Sequence, residues 1–192
     1  MAKLEVFPLS ADRWADFEGL FGRQGACYGC WCTYFRLAPK LRKSNSAEDN
    51  KAFIRTRIET GPPPGLLGYL GGEPVAWMQI GPRADVPQLN NPGRVCAPLA
   101  DGPAEDARVW AISCFFTKSA WRGQGLSHAM VAAGIDHARQ NGARLLEACP
   151  MDHAKQAKSV GLFVGSTQVF EKAGFSEAAL RKPGRPLMRL EL

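Results

Sequence analysis

Thr117-Lys118-Ser119-Ala120-Trp121-Arg122-Gly123-Gln124-Gly125-Leu126-Ser127 is the stretch from which the rest of the chain can be read. Just before it, Val109 to Phe116 is apolar, β-branched and aromatic, the pattern of a buried strand. After it, Leu126, Met130, Ala133 and His137 recur at helical spacing, so the pattern predicts a helix beginning near Gly123. A glycine-bearing turn from strand into helix is where backbone N–H groups without helical partners can face an anion. Gly123 and Gly125 remove side chains from that approach, while Lys118 and Arg122 add positive charge. The stretch reads as a phosphate cradle.

Two familiar phosphate loops fit it poorly. The dinucleotide fingerprint needs a third glycine where His128 stands, although Glu147 does follow at about the ~20-residue distance of a ribose ligand. No Gly-Lys-Ser/Thr ending is present, which excludes the triphosphate-binding loop.

At 192 residues the chain suits one domain, read as 1–192, with a substantial core. Hydrophobic residues are 45% and charged ones 22%, so neither a disordered nor a membrane-spanning composition applies. The longest apolar runs fall short of the ~18–20 residues of a span, and the N-terminus lacks a signal-peptide pattern. A soluble, cytoplasmic protein is expected, with no membrane partner. The net charge of +6 is spread along the chain without a Lys/Arg run, so no nucleic-acid partner is expected. A polyanionic small ligand accounts for the excess equally well.

In chain order, Lys3 to Leu9 reads as a strand, and Ser10 can cap a helix over Ala11 to Phe21. A second helix is predicted over Ala47 to Thr60, with Phe53, Ile54 and Ile58 apolar, stopped by Gly61 and three prolines. Leu66–Leu70 and Pro74–Ile80 form a hairpin through Gly71-Gly72. Pro82 to Ala107 is a long irregular excursion. The central helix ends before Asn141-Gly142, Ala143 to Cys149 is a buried-type strand, and Met151 to Gly161 is a polar linker. Phe163 to Ala173 reads as a short helix, with strands over Phe175–Leu180 and Pro186–Leu192.

Arg122-Gly123-Gln124-Gly125-Leu126-Ser127 resembles the Arg/Gln-x-x-Gly-x-Gly/Ala signature of the GNAT superfamily of N-acetyltransferases, with Ser127 in the last small position. Val169-Phe170-Glu171-Lys172-Ala173-Gly174-Phe175 is similar to the Leu-Tyr-Glu-Lys-x-Gly-Phe segment near the end of such domains. The order of elements from Val109 to Leu180 agrees. The resemblance implies an α/β fold, with a mixed, mostly antiparallel central sheet splayed in the middle and flanked by helices. It implies acetyl-CoA as cosubstrate, lying between the Val109–Phe116 and Ala143–Cys149 strands. Phe115 and Thr117 would hold its pantetheine arm, and Arg122, Gly123, Gln124, Gly125, Leu126 and Ser127 its pyrophosphate. Ser166 and Phe170 would flank the thioester, Phe170 serving equally well as core packing.

The implied reaction is direct attack of a primary amine of a small molecule on the thioester. Glu147 matches a base of some family members, or is a sheet-face carboxylate; Asp152 and His153 stand in reserve. Two departures are visible: the family's tyrosine, its usual acid for the leaving thiolate, is Phe170, and the asparagine often found after the second splayed strand is missing. Two other classes stay open: a non-catalytic acyl-CoA-binding regulator and a protein N-terminal acetyltransferase. Either a monomer or a homodimer is compatible with the sequence.

Cys27-Tyr28-Gly29-Cys30-Trp31-Cys32-Thr33-Tyr34-Phe35-Arg36 is dense in sulfur and rings. Without a secretion signal the six cysteines read as thiols. A structural zinc site generally needs four ligands, and no second paired Cys/His motif follows, so no metal is expected. By the same resemblance this stretch edges the acceptor pocket. Trp31, Tyr34 and Phe35 would wall it with Arg36 at the rim, or else seal the N-terminal core.

Overall fold

In the computed structural model, which describes residues 3–152 and 162–192, each apolar stretch finds a sheet face or a helix to pack against. Strand β1 (Glu5–Pro8) leads through a 3-10 turn at Ala11–Arg13 into α1 (Trp14–Phe21). The helix expected from Ala11 begins later because the Ser10 hydroxyl bonds the Asp12 carboxylate and leaves the helical N–H groups uncapped. After α2 (Pro39–Ser44), α3 (Ala47–Thr60) starts at a capping box. The Asp49 N–H donates to Ser46 Oγ at 3.1 Å, and the Ser46 N–H donates to Asp49 Oδ2 at 2.8 Å. It buries Ile54 and Ile58 but leaves Phe53 exposed, one position off the apolar face.

Strands β2 (Gly65–Leu70) and β3 (Glu73–Pro82) form the expected hairpin. Gly71 and Gly72 turn it with φ of 57° and 82°, the left-handed pair that a two-residue hairpin loop requires. Then come β4 (Val109–Thr117), α4 (Leu126–Gln140), β5 (Leu145–Ala148), α5 (Thr167–Lys172), β6 (Ser176–Ala179) and β7 (Leu187–Glu191). The central helix starts at Leu126, later than its periodicity suggests, because Gly123 and Gly125 are left-handed. The last helix starts at Thr167, since Gly165 has φ of 80° and Ser166 is extended.

The seven strands form one sheet in the order β1-β2-β3-β4-β5-β7-β6. Every neighbouring pair is antiparallel except β4 with β5. Strand pleating then sorts the side chains. Met78 and Ile80 join the cluster with Met130, Val131 and Ile135 of α4. Trp77 and Leu67 join Phe17, Phe21, Ile54 and Ile58 of α1 and α3. Helices thus cover both faces, and no helix among the described residues is long and apolar enough to cross a membrane.

The excursion between β3 and β4 is folded rather than loose. It carries 3-10 turns at Arg83–Asp85 and Pro87–Leu89, and Val86, Leu89 and Cys96 are buried. Arg83 organises it from inside, donating through Nε to Asn90 Oδ1 at 2.8 Å and through Nη2 to the Cys96 carbonyl.

Candidate active site

At the end of β4 the chain makes a 3-10 turn at Ser119–Trp121 and then passes through Gly123 and Gly125, with φ of 77° and 76°. A Cβ added at either glycine would meet nothing within 4 Å, so backbone conformation and open space, not packing, call for glycine there. Gly125 is the N-cap of α4 and offers no side-chain cap. Among the described residues, the N–H groups of Gly123, Gln124 and Gly125 donate to no backbone carbonyl. Orphan donors at a helix start, on an exposed loop, are what an anion needs. Arg122 is exposed beside them, its Nε donating to the Thr117 carbonyl at 3.0 Å. Leu126 is buried beneath the turn, Ser127 is half-buried, and Gln124 Nε2 donates to the Ala120 carbonyl at 3.5 Å. Lys118, expected to add charge here, is instead ion-paired with Glu73 of β3 at 2.6 Å.

The splay lies beside this turn. Strand β4 pairs with β5 only from Val109↔Leu145 to Ile112↔Ala148. Beyond that, Cys114 to Thr117 pair with β3 alone. Ser113 is the extra residue of a bulge: Gln79 faces Cys114 and Ile80 faces Ile112, so Ser113 has no partner residue in either neighbouring strand. The bulge therefore falls at the point where the two parallel strands part. Behind it runs a buried polar chain. With its amide oxygen turned toward the guanidinium, Gln79 accepts from Arg36 Nε at 2.6 Å and donates to Ser113 Oγ at 2.9 Å. Phe115 and Thr117, half-buried, follow on the free part of β4.

On the far side of the splay, Met151 and Ser166 form a parallel bridge that aligns the lead into α5. Ser166 is buried as the N-cap of α5 but makes no side-chain cap. Phe170 is fully buried, edge-on to Phe115 at 6.1 Å and to Phe175 at 5.1 Å between ring centroids. It carries no hydroxyl, and aromatic rings occupy both sides of it.

Glu147 faces other chemistry than the sequence reading expected. Its side chain is 0% exposed, Oε2 accepts from Arg83 Nη1, and Oε1 accepts from Arg189 Nε at 2.6 Å. Arg189 reaches on to Asp101 at 2.7 Å. Both carboxylate oxygens thus point at guanidinium groups, and solvent does not reach them. Asp152 donates its backbone N–H to the Gly184 carbonyl at 3.0 Å and borders a cleft of about 560 Å³ against α5, β6 and β7. His153 lies outside the described residues.

The aromatic stretch divides. Trp31 is 3% exposed and stacks on Phe21 at 5.7 Å within the core under α1, so it packs rather than walls a pocket. Arg36 is also interior: Nη1 donates to the Asp85 carbonyl at 3.1 Å and Nη2 to the Pro64 carbonyl at 3.2 Å. Burial lowers its pKa to about 10, which leaves it cationic at neutral pH. Phe35 does face the splay, and Tyr34 packs beside it. Tyr34 lies edge-on to Phe35 at 4.9 Å and to Phe163 at 5.7 Å, with Arg42 over its ring at 4.0 Å. Phe35 shares a small cavity with Ile112, Ser113 and Val164.

Sequence reasoning missed Ser113, Gln79 and Arg83. A bulge has no signature inside a run of buried residues. The excursion has two arginines among its prolines, Arg83 and Arg94, and nothing in the sequence marks the first as the buried one.

A sequence profile described as the acetyltransferase (GNAT) family matches residues 30–175. No curated protein matches the sequence. Among solved structures, the chain is similar to yncA from Salmonella typhimurium, solved with its cofactor acetyl-CoA. Identity is 15%, TM-score 0.56, and 98% of this chain and 94% of that one are covered. It is similar to the paia N-acetyltransferase of Thermoplasma acidophilum in complex with coenzyme A, at 10% identity and TM-score 0.54 over 99% of both chains. A ribosomal-protein-alanine N-acetyltransferase from Brucella melitensis aligns at 16% identity and TM-score 0.56, over 98% of this chain and 99% of that one. Likeness at such identity shows the shared fold.

Proposed function

The chain belongs to the acetyltransferase (GNAT) family, and we propose that it transfers an acetyl group from acetyl-CoA to a primary amine of a small molecule. The observation that carries this reading is a coincidence in space. The left-handed glycine turn, with its orphan N–H groups, closes the same strand whose bulge opens the splay. The residues fit the cosubstrate: both glycines take positive φ on an exposed loop, and a Cβ at either would meet nothing within 4 Å, which leaves room for an anion.

Acetyl-CoA would supply the acetyl group as an activated thioester. The backbone of Gly123 to Ser127, with Arg122, would bind its pyrophosphate through charge-assisted hydrogen bonds. The edge of β4 at Phe115 and Thr117, which no strand pairs on the β5 side, would hold an extended amide chain as a neighbouring strand would. At Ser113 the bulged backbone would donate to the oxygen where negative charge develops. The Arg36–Gln79 chain would hold that strand in place by bonding the Ser113 hydroxyl. Tyr34 and Phe35 would flank the amine, and Ser166 and Phe170 would shape the wall beside the sulfur. Glu147 takes no part as a base in this reading; it anchors the excursion through Arg83.

The missing phenol at Phe170 favours a second reading, a regulator that binds acyl-CoA without turnover. The test is release of free CoA from acetyl-CoA across a panel of small primary amines, peptides with free N-termini included. Turnover with a small amine, and a product heavier by one acetyl group, supports the first reading. Tight binding by calorimetry with no turnover across the panel supports the second, and turnover confined to peptides rejects the small-molecule acceptor.

A further inference from the structure

Two of the six cysteines stand apart from the rest. Cys96, in the excursion, and Cys149, one residue past β5, are both 6% exposed and line the same cavity. They also belong to the same buried cluster, and no other cysteine lines that cavity. Arginines grip the pair from both sides: Arg83 Nη2 donates to the Cys96 carbonyl, and Arg185 Nη2 donates to the Cys149 carbonyl at 3.4 Å. Two polar sulfur groups amid Phe35, Leu89 and Val164, with cationic neighbours, have no part in the acyl-transfer reading.

Their surroundings make them unequal. The hydrogen bond from Cys149 favours the Cys96 thiolate, Arg185, Arg83 and Arg94 add to that, and burial opposes it, for a pKa lowered to about 7. Cys149, as the donor beside an anion, is held protonated and its pKa is raised. A thiolate next to a retained thiol is the arrangement of an attacking and a resolving cysteine. The other buried sulfurs differ. Burial pushes Cys30 up to about 12, and the hydrogen bond to Cys32, then burial, raises Cys114.

The size of the cavity decides what can reach the thiolate. At about 10 Å³ it has room for roughly one water-sized molecule. Hydrogen peroxide is within that scale. We propose that Cys96 and Cys149 are a peroxide-oxidised thiol pair, a modification site whose disulfide ties the excursion to the end of β5.

The chemistry balances in two steps. The Cys96 thiolate attacks one peroxide oxygen and the O–O bond breaks, giving Cys96 sulfenic acid and hydroxide. The hydroxide takes up the proton that Cys96 had released and becomes water. The Cys149 sulfur then attacks the sulfenic sulfur; the S–S bond forms, the S–O bond breaks, and the thiol proton leaves with that hydroxide as a second water. Both sulfurs are oxidised and peroxide is reduced. A thiol reductant reverses the result by exchange.

This inference stands apart from the acyl-transfer reading and is tested without acetyl-CoA. The full chain is reduced, desalted, treated with hydrogen peroxide at neutral pH, and mapped by mass spectrometry without reduction. The expected result is a loss of two hydrogens from the intact mass and a linked peptide pair containing Cys96 and Cys149. At pH 7 a thiol with pKa near 7 is about half ionised, against about 3% at the ordinary ~8.5, so peroxide should consume the Cys96 thiol at least about tenfold faster than an ordinary cysteine, and Cys96→Ser should abolish the linked pair. In Cys149→Ser, a 1,3-diketone probe should trap the sulfenic acid on Cys96. A linkage confined to Cys27, Cys30, Cys32 or Cys114, with Cys96 and Cys149 still free in the wild-type map, would overturn the proposal. So would trapping on Cys149 but not Cys96 in the wild-type chain, a readout that does not depend on either variant folding.

Discussion

Replacing Glu147 by glutamine separates two roles that a carboxylate on this strand could have. The side chain is 0% exposed and bonded by Arg83, itself 1% exposed, and by Arg189, 11% exposed. The amide keeps the shape but removes the negative charge and turns an NH₂ toward one guanidinium. Breaking a buried pair from one side costs roughly 3–5 kcal/mol, because the surviving cation is left without its counter-charge. Asp101 still serves Arg189, so the loss falls mainly on Arg83 and the lower half of that range is expected. At roughly 2–4 °C per kcal/mol for a domain of this size, the melting midpoint should fall by about 6–16 °C. The assay is thermal or urea unfolding followed by circular dichroism, beside the rate of CoA release. A general base would behave otherwise, with stability kept and turnover reduced by ~10²–10⁴. A Glu147→Gln protein that melts within about 1 °C of wild type while losing turnover would refute the anchoring role. Arg83→Gln should destabilise comparably, and the double variant should cost less than the sum, since the two side chains share one interaction.

Gly125→Val forces a β-branched residue into φ of 76° and so disturbs the turn that carries the orphan donors. It should weaken acetyl-CoA at least about tenfold by calorimetry, through loss of hydrogen bonds worth roughly 1.5–3 kcal/mol each, and unchanged affinity in a folded variant would remove the cradle. Phe170→Ala empties a fully buried aromatic site between Phe115 and Phe175, so stability to urea should fall by about 3–5 kcal/mol; a loss below about 1 kcal/mol would show that the ring does not pack there. Partial burial against Trp110 lowers the pKa of His137 below its ordinary 6.5. The unfolded chain therefore takes up that proton at higher pH than the native one, and stability should decline as pH falls through and below about 6.5. Urea titrations at several pH values should show that slope reduced in His137→Gln, and a slope of opposite sign would contradict the assignment.

The sheet was legible wherever a local pattern determines the outcome. The apolar run from Val109 to Phe116, the paired glycines at 71–72 and the stop at Gly61 each act through neighbours in sequence, and each appears as expected. The glycine turn was legible for the same reason, because positive φ is a property of single residues. Boundaries slipped where a side chain chose another partner, as Ser10 did with Asp12. The excursion looked structureless because its order comes from one arginine whose acidic partner lies 64 residues away.

The same distance in sequence explains why the candidate site was only half readable. Polarity along a strand tells which residues face a covered surface, but not whether that surface holds a substrate or a second charge. Glu147 and a catalytic carboxylate would look alike from Leu146-Glu147-Ala148; Arg83 and Arg189, from two other elements, decide between them. Trp31 and Tyr34 illustrate the point for rings. Three residues apart, they have the same composition-level reading, yet Trp31 takes φ of 45° and turns into the core, while Tyr34 stays 36% exposed beside Phe163. A left-handed conformation at a non-glycine residue costs of order 1–3 kcal/mol, so it persists only where packing compensates, as the stacking of Trp31 on Phe21 does. Ser113 completes the case. Its place at the parting of β4 and β5 follows from the registers of three strands together, and no single stretch of the chain contains that information.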